Sequence, residues 1–111
     1  MGSYMANETM ADRLKRQIAA ETQERNTAQA EVDRFSREAE HATAAHAQLQ
    51  KRIGTIKEPA HFFQEELDRD ASRARMLVEA KEHAIRRRDM SESKLKDLHR
   101  ADEQMKKAGL A

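Results

Sequence analysis

Ile53-Gly54-Thr55-Ile56-Lys57-Glu58-Pro59 is the stretch that decides how this 111-residue chain folds. It holds the only proline and one of three glycines, the others being Gly2 and Gly109. From about Thr9 to Ile53 nothing breaks a helix, and nothing does from Pro59 to Ala108. Glycine accepts the left-handed backbone that often ends helices, so Gly54 is expected to stop the first one in that conformation. Pro59 suits the first position of the next, where its missing N–H would have had no intrahelical partner. A connection this short favours antiparallel neighbours. The prediction is an all-α fold, an antiparallel two-helix coiled-coil hairpin. Its helices span about 9–53 and about 59–108, joined by a turn at 54–58. Residues 9–111 then make a single helical-hairpin domain, after a disordered tail at 1–8 in which Met1-Gly2-Ser3-Tyr4 reads as an expression remnant.

The outer ends carry matching signals. Thr9 is placed to cap the first helix, with Asp12 in the favoured acidic first turn. Gly109 marks the second stop, behind Lys106 and Lys107, whose charges suit a helix C-terminus. Ala, Glu, Gln, Lys, Arg, Leu and Met fill both segments, as strong helix formers should. Acidic residues stand four before basic ones at Asp12/Arg16, Glu21/Arg25, Asp33/Arg37, Glu65/Arg69, Glu82/Arg86, Glu92/Lys96, Asp102/Lys106 and Glu103/Lys107. Each such pair is worth roughly 0.2–0.5 kcal/mol.

Apolar spacing shows what the helices bury. In the first helix, steps of three and four run through Leu14, Ile18, Glu21, Arg25, Ala28, Val32, Phe35, Ala39, Ala42, His46, Leu49 and Ile53, the pattern of a coiled-coil seam. Glu21, Arg25 and His46 interrupt it. Arg25 is expected to face an acidic seam residue on another helix. The second helix is less regular. Phe63, Leu67, Ala74, Leu77, Ala84, Leu95, Leu98 and Met105 fit one register, but Asp70, Lys81, Arg88, Ser91 and Asp102 spoil it. A second register through Ala71, Ala74, Val78 and Ile85 overlaps it. The expectation is a stripe that drifts around the helix, with a stutter and a soft spot at Asp89–Ser93. Ile53 and Ile56 should fold against Phe62 and Phe63, making the turn end the best-packed part.

Composition then narrows the function. Charged residues are 37% of the chain and hydrophobic ones 38%, with three phenylalanines, one tyrosine and no tryptophan. That is too little bulk for a compact globule of this length, and it leaves helices that each bury a narrow stripe. Net charge is +1 and the signs alternate, which suits solvated helix faces. Cysteine is absent, so disulfides and thiolate chemistry are excluded and a cytoplasmic setting is expected. No apolar run reaches the length of a membrane span.

His41, His46, His61, His83 and His99 invite a metal reading, but none pairs with another at the i,i+3 or i,i+4 spacing that puts two ligands on one helix face. No metal or other cofactor is expected. His46, on the seam, offers a way to tune association with pH. There is no phosphate loop, nucleophile elbow or HExxH pattern, so the chain is not expected to be an enzyme. Arg69, Arg73, Arg86, Arg87 and Arg88 form a basic face that could meet nucleic acid or an acidic partner. Asp68, Asp70, Glu79, Glu82 and Asp89 interleave with it, and aromatic residues for base stacking are missing there. Membrane-surface binding is not expected either, because the apolar stripes are narrow and acids run throughout.

What remains is the helix pair itself. The expected function is a non-enzymatic interaction module, a scaffold, adaptor or assembly subunit that binds protein partners through helix–helix packing. Homo-oligomerisation is expected as well, a four-helix bundle being the simplest cover for the apolar edge left open. Its contact residues are predicted to be Leu14, Ile18, Val32, Phe35, Leu49, Leu67, Leu77, Leu95 and Leu98. Polar seam positions cost stability while specifying register and partner, so the chain alone is expected to be marginally stable. As a small, charged, cysteine-free helical hairpin it resembles the stalk proteins of type III secretion and flagellar export ATPases. That resemblance implies a stalk or chaperone-like accessory role in such a secretion system.

Overall fold

The computed structural model describes residues 8–56 and 63–110. Two helices account for nearly all of them, α1 at Met10–Gly54 and α2 at Gln64–Lys107, and they form an all-α helical hairpin without a strand among the described residues. Pro59, Phe62 and His61, with the predicted start of the second helix, lie outside the described residues, as does most of the tail.

Three ends are visible, and each closes differently. At the start of α1 the Thr9 Oγ1 accepts the Asp12 backbone N–H at 3.0 Å, satisfying a donor that has no partner inside the helix. Glu8, assigned to the tail by sequence, is half-buried and its carboxylate meets Arg16 at 2.9 Å. At Gly54 the expected left-handed residue is absent, because the only glycine with positive φ among the described residues is Gly109. Instead the last turn tightens. Thr55 N–H donates to the Arg52 carbonyl and Ile56 N–H to the Ile53 carbonyl, and the Thr55 hydroxyl donates to Arg52 at 2.7 Å. Those bonds occupy the free carbonyls without any change of backbone hand. At the far end of α2, Gly109 adopts φ 74°. Leu110 N–H reaches back to the Met105 carbonyl at 2.9 Å and Gly109 N–H to Lys106 at 3.1 Å, the paired bonds of a Schellman motif.

Burial along α1 follows the predicted seam. Ala11, Leu14, Ile18, Glu21, Arg25, Ala28, Val32, Phe35, Ala39, Ala42, His46, Leu49 and Ile53 are all buried or half-buried. Along α2 the same steps of four and three run without a slip through Phe63, Leu67, Asp70, Ala74, Leu77, Lys81, Ala84, Arg88, Ser91, Leu95, Leu98, Asp102 and Met105, again none of them exposed. The drifting stripe expected from the sequence is therefore not there. The five polar residues that seemed to violate the register occupy it. Of the rival register, Ala71, Ala74 and Ile85 are half-buried and Val78 is 42% exposed. Asp89–Ser93 is continuous helix, and Ser91 within it is 2% exposed.

The chain divides into two compact units, Met1–Gln29 with Arg86–Ala111, and Ala30–Ile85. In the first, cross-helix contacts fix the pairing. Arg87 Nη2 donates to Glu24 Oε1 at 2.7 Å and Arg88 Nη1 to Gln29 Oε1 at 3.1 Å. With heptad positions written a to g, Leu14 and Glu21 are d, Ile18 and Arg25 are a, and Glu24 and Arg87 are both g. An antiparallel pair that brings g to g in this way sets a against d. The layers of this unit are then Ala11–Met105, Leu14–Asp102, Ile18–Leu98, Glu21–Leu95, Arg25–Ser91 and Ala28–Arg88. In the second unit, the same rule gives Val32–Ala84, Phe35–Lys81, Ala39–Leu77, Ala42–Ala74, His46–Asp70, Leu49–Leu67 and Ile53–Phe63. A cleft there lined by Glu38, His41, Ala42, Ala45, Asp70 and Arg73 agrees with that pairing.

The buried apolar residues, among those described, are Leu14, Ala28, Val32, Ala39, Ala84 and Leu95. None lies at the turn end, where Ile53 and Phe63 are half-buried and Ile56 is 42% exposed, so the turn is not the best-packed region among the described residues.

Candidate interaction surface

The sequence marked nine apolar residues as a surface for partners. Leu14, Val32 and Leu95 are buried, and Ile18, Phe35, Leu49, Leu67, Leu77 and Leu98 are half-buried, all at a or d positions of the hairpin's own seam. Their apolar area is largely spent on the neighbouring helix of the same chain. Arg34 also closes over Phe35, its guanidinium carbon 4.6 Å from the ring centroid, a cation–π geometry.

Five arginines were grouped as a basic face. Arg69, Arg73 and Arg86 are exposed. Arg87 is tied to Glu24, and Arg88 sits at a seam position, bonded to Gln29 and to Asp89 at 3.0 Å. Arg73 shares its cleft with Glu38 and Asp70. Arg87 and Arg88 are thus already held by neighbours within the chain. Arg25 bonds within its own helix. Its Nε donates to Asn26 Oδ1, and its layer partner is Ser91. The small Ser91 leaves room for the arginine stem to lie along the seam while the charged head reaches water.

Among the described residues, no group of three histidine, aspartate or glutamate side chains stands close enough to hold a metal ion. His46 Nδ1 is buried without a hydrogen-bond partner, in the layer it shares with Asp70. His41, in the adjacent cleft of about 190 Å3, is exposed. No helix among the described residues is long and apolar enough to cross a membrane.

Sequence reasoning missed the two flanks of the seam, because their identity depends on the register of both helices. In the second unit the g flank carries Glu31, Glu38, Arg52, Glu66 and Arg73 beside Ala45 and Ala80. The e flank of the same unit carries Ser36, Thr43 and Gln50 from α1 and Gln64, Ala71, Val78 and Ile85 from α2, with no charge at all. In the first unit the e flank is charged, by Lys15, Glu92 and Lys106.

No protein-family model matches the chain, and no curated protein or solved structure matches it significantly.

Proposed function

We propose that this chain is a non-enzymatic interaction module that works through helix–helix packing, as a scaffold, adaptor or assembly subunit. One observation carries the reading. Among the described residues the buried apolar set is Leu14, Ala28, Val32, Ala39, Ala84 and Leu95, three of them alanines, while Met76, Val78 and Met90 stand 42–69% exposed. So thin a seam contributes little beyond the ordering entropy of the two helices. A chain of this kind becomes firm when another surface covers what it leaves in water.

The test is co-purification of the tagged full-length chain from its source cells, with washes at rising salt. A second protein or a further copy of the chain should remain at high salt, since apolar packing is not weakened by salt. A Leu95→Pro variant, which interrupts α2, should lose it. The reading fails if the retained material is nucleic acid released as salt rises, or if the broken helix retains the same partner.

A further inference from the structure

Of the described histidines, His41, His83 and His99 are exposed and His46 is not. His46 holds an a position of the second unit, where the register sets it opposite Asp70. Its Nδ1 is shut off from water and makes no hydrogen bond. An unmade bond at a shielded polar atom costs free energy. Asp70, half-buried across the seam, forms no ion pair among the described residues either. Two partly shielded polar groups thus share one layer, each short of a partner.

A proton changes what the layer can do. Neutral imidazole has one donor and one acceptor nitrogen, whereas imidazolium has two donors. With the proton on, Nδ1 can donate to a carboxylate, a charge-assisted bond stronger than a neutral one. The surrounding charge does not favour or oppose this strongly. On α1 the nearest titratable groups are Glu38 and Glu40, Lys51 and Arg52, and His41. On α2, within two turns of Asp70, they are Glu65, Glu66 and Asp68 against Arg69, Arg73 and Arg75. Acids and bases match on each helix, and every one of these groups is exposed, where water and salt screen it. Asp70, on the seam itself, is the charge that decides.

We propose that His46 and Asp70 form a proton-operated clasp. When His46 takes a proton, its Nδ1 donates to the Asp70 carboxylate and the second unit tightens. The bond exists only with the proton on, so proton uptake is linked to folding. Stability therefore rises as pH falls through the range where histidine gains charge, about pH 8 to 5. The gain is complete at the acid end of that range and lost at the alkaline end. The device lies within one chain and stands whether or not the hairpin pairs with another protein.

Urea unfolding of the full chain at about pH 8 and about pH 6 tests it. The wild-type midpoint should be higher at the lower pH. His46→Gln and Asp70→Asn should each abolish that rise, while His83→Gln and His41→Gln keep it. Helical circular dichroism checks that each variant folds. Nitrogen NMR of the wild-type imidazole rings gives a readout that needs no variant to fold. A hydrogen-bonded Nδ1 proton on His46 should appear at the lower pH and be absent at the higher one. A midpoint that is flat or falls on acidification overturns the clasp. So does a rise that survives His46→Gln or Asp70→Asn, a rise lost in His41→Gln instead, or a His46 ring that shows no bonded Nδ1 proton at the lower pH.

Discussion

The two units solve the same packing problem with different materials. In the unit formed by residues 8–29 and 86–110, only Ala11–Met105 and Ile18–Leu98 set apolar against apolar. Its other layers each hold a polar or charged member, namely Asp102, Glu21, Arg25 with Ser91, and Arg88. In the unit formed by 30–56 and 63–85, polar members enter only at Phe35–Lys81 and His46–Asp70. The first unit compensates with bonds across the seam, Arg87 to Glu24 and Arg88 to Gln29. In the second, Ala39, Ala42, Ala74 and Ala84 stand on the seam, where small residues allow close approach. The lesson is that a regular seam need not be an apolar one. Long side chains lie along it by their stems, and small partners such as Ser91 and Ala28 make room for them.

Leucine truncation should break the symmetry most. Leu95, 6% exposed opposite Glu21, is with Leu14 one of the two buried leucines of the polar unit. Leu95→Ala should cost about 2–4 kcal/mol in urea unfolding, and more than Leu77→Ala, whose site is already half-exposed. Equal losses would mean the units do not differ in how they use their few anchors. Lys81→Leu should raise stability by about 1–2 kcal/mol, because it fills the Phe35 layer without removing a partnered charge. Arg88→Leu should gain less, since it forfeits the bond to Gln29. The same urea titrations rank the two, and a larger gain at Arg88 would contradict the account of the polar unit.

Smaller effects sharpen the same contrast. Thr9→Ala removes the cap at the open end of the polar unit and should cost about 1 kcal/mol, read as earlier fraying of the first amides in hydrogen exchange. Glu24→Gln should cost only about 0.2–1 kcal/mol, because both partners are partly exposed, and a double-mutant cycle with Arg87→Gln should lose its coupling at high salt. A coupling that survives salt would show the pair to be better shielded than its exposure implies.

Much of this was legible from the residues. The α1 seam, the Thr9 cap and the Gly109 stop follow from spacing and residue type, and each is observed. The α2 register was not legible, because a rule that asks for apolar residues at each seam position counts Asp70, Lys81, Arg88, Ser91 and Asp102 as failures. Position on a helix is set by its period, and a charged residue at a seam position is still carried to the seam by its neighbours. Gly54 ends α1 where expected, but without the left-handed backbone. Its tolerance of positive φ is a permission, and the Thr55 hydroxyl and tightened turn made it unnecessary. The flanks stayed hidden until both registers were known, since a flank exists only between two aligned helices. Of the eight acid–base pairs spaced by four, Asp102–Lys106 closes at 3.1 Å, while Arg16 turns to Glu8 instead of Asp12. Spacing permits such pairs and competing neighbours decide among them.

The unbroken heptad on both arms has a consequence for how this protein tolerates changes in length. Each step of seven residues up α1 is matched by a step of seven back down α2. Excising one heptad from each arm at facing levels would shorten the molecule and leave the remaining layers in phase. Removing a single residue from one arm would rotate everything on one side of the cut by about 100°. Indels in this chain should therefore be tolerated in matched sevens and rejected one at a time.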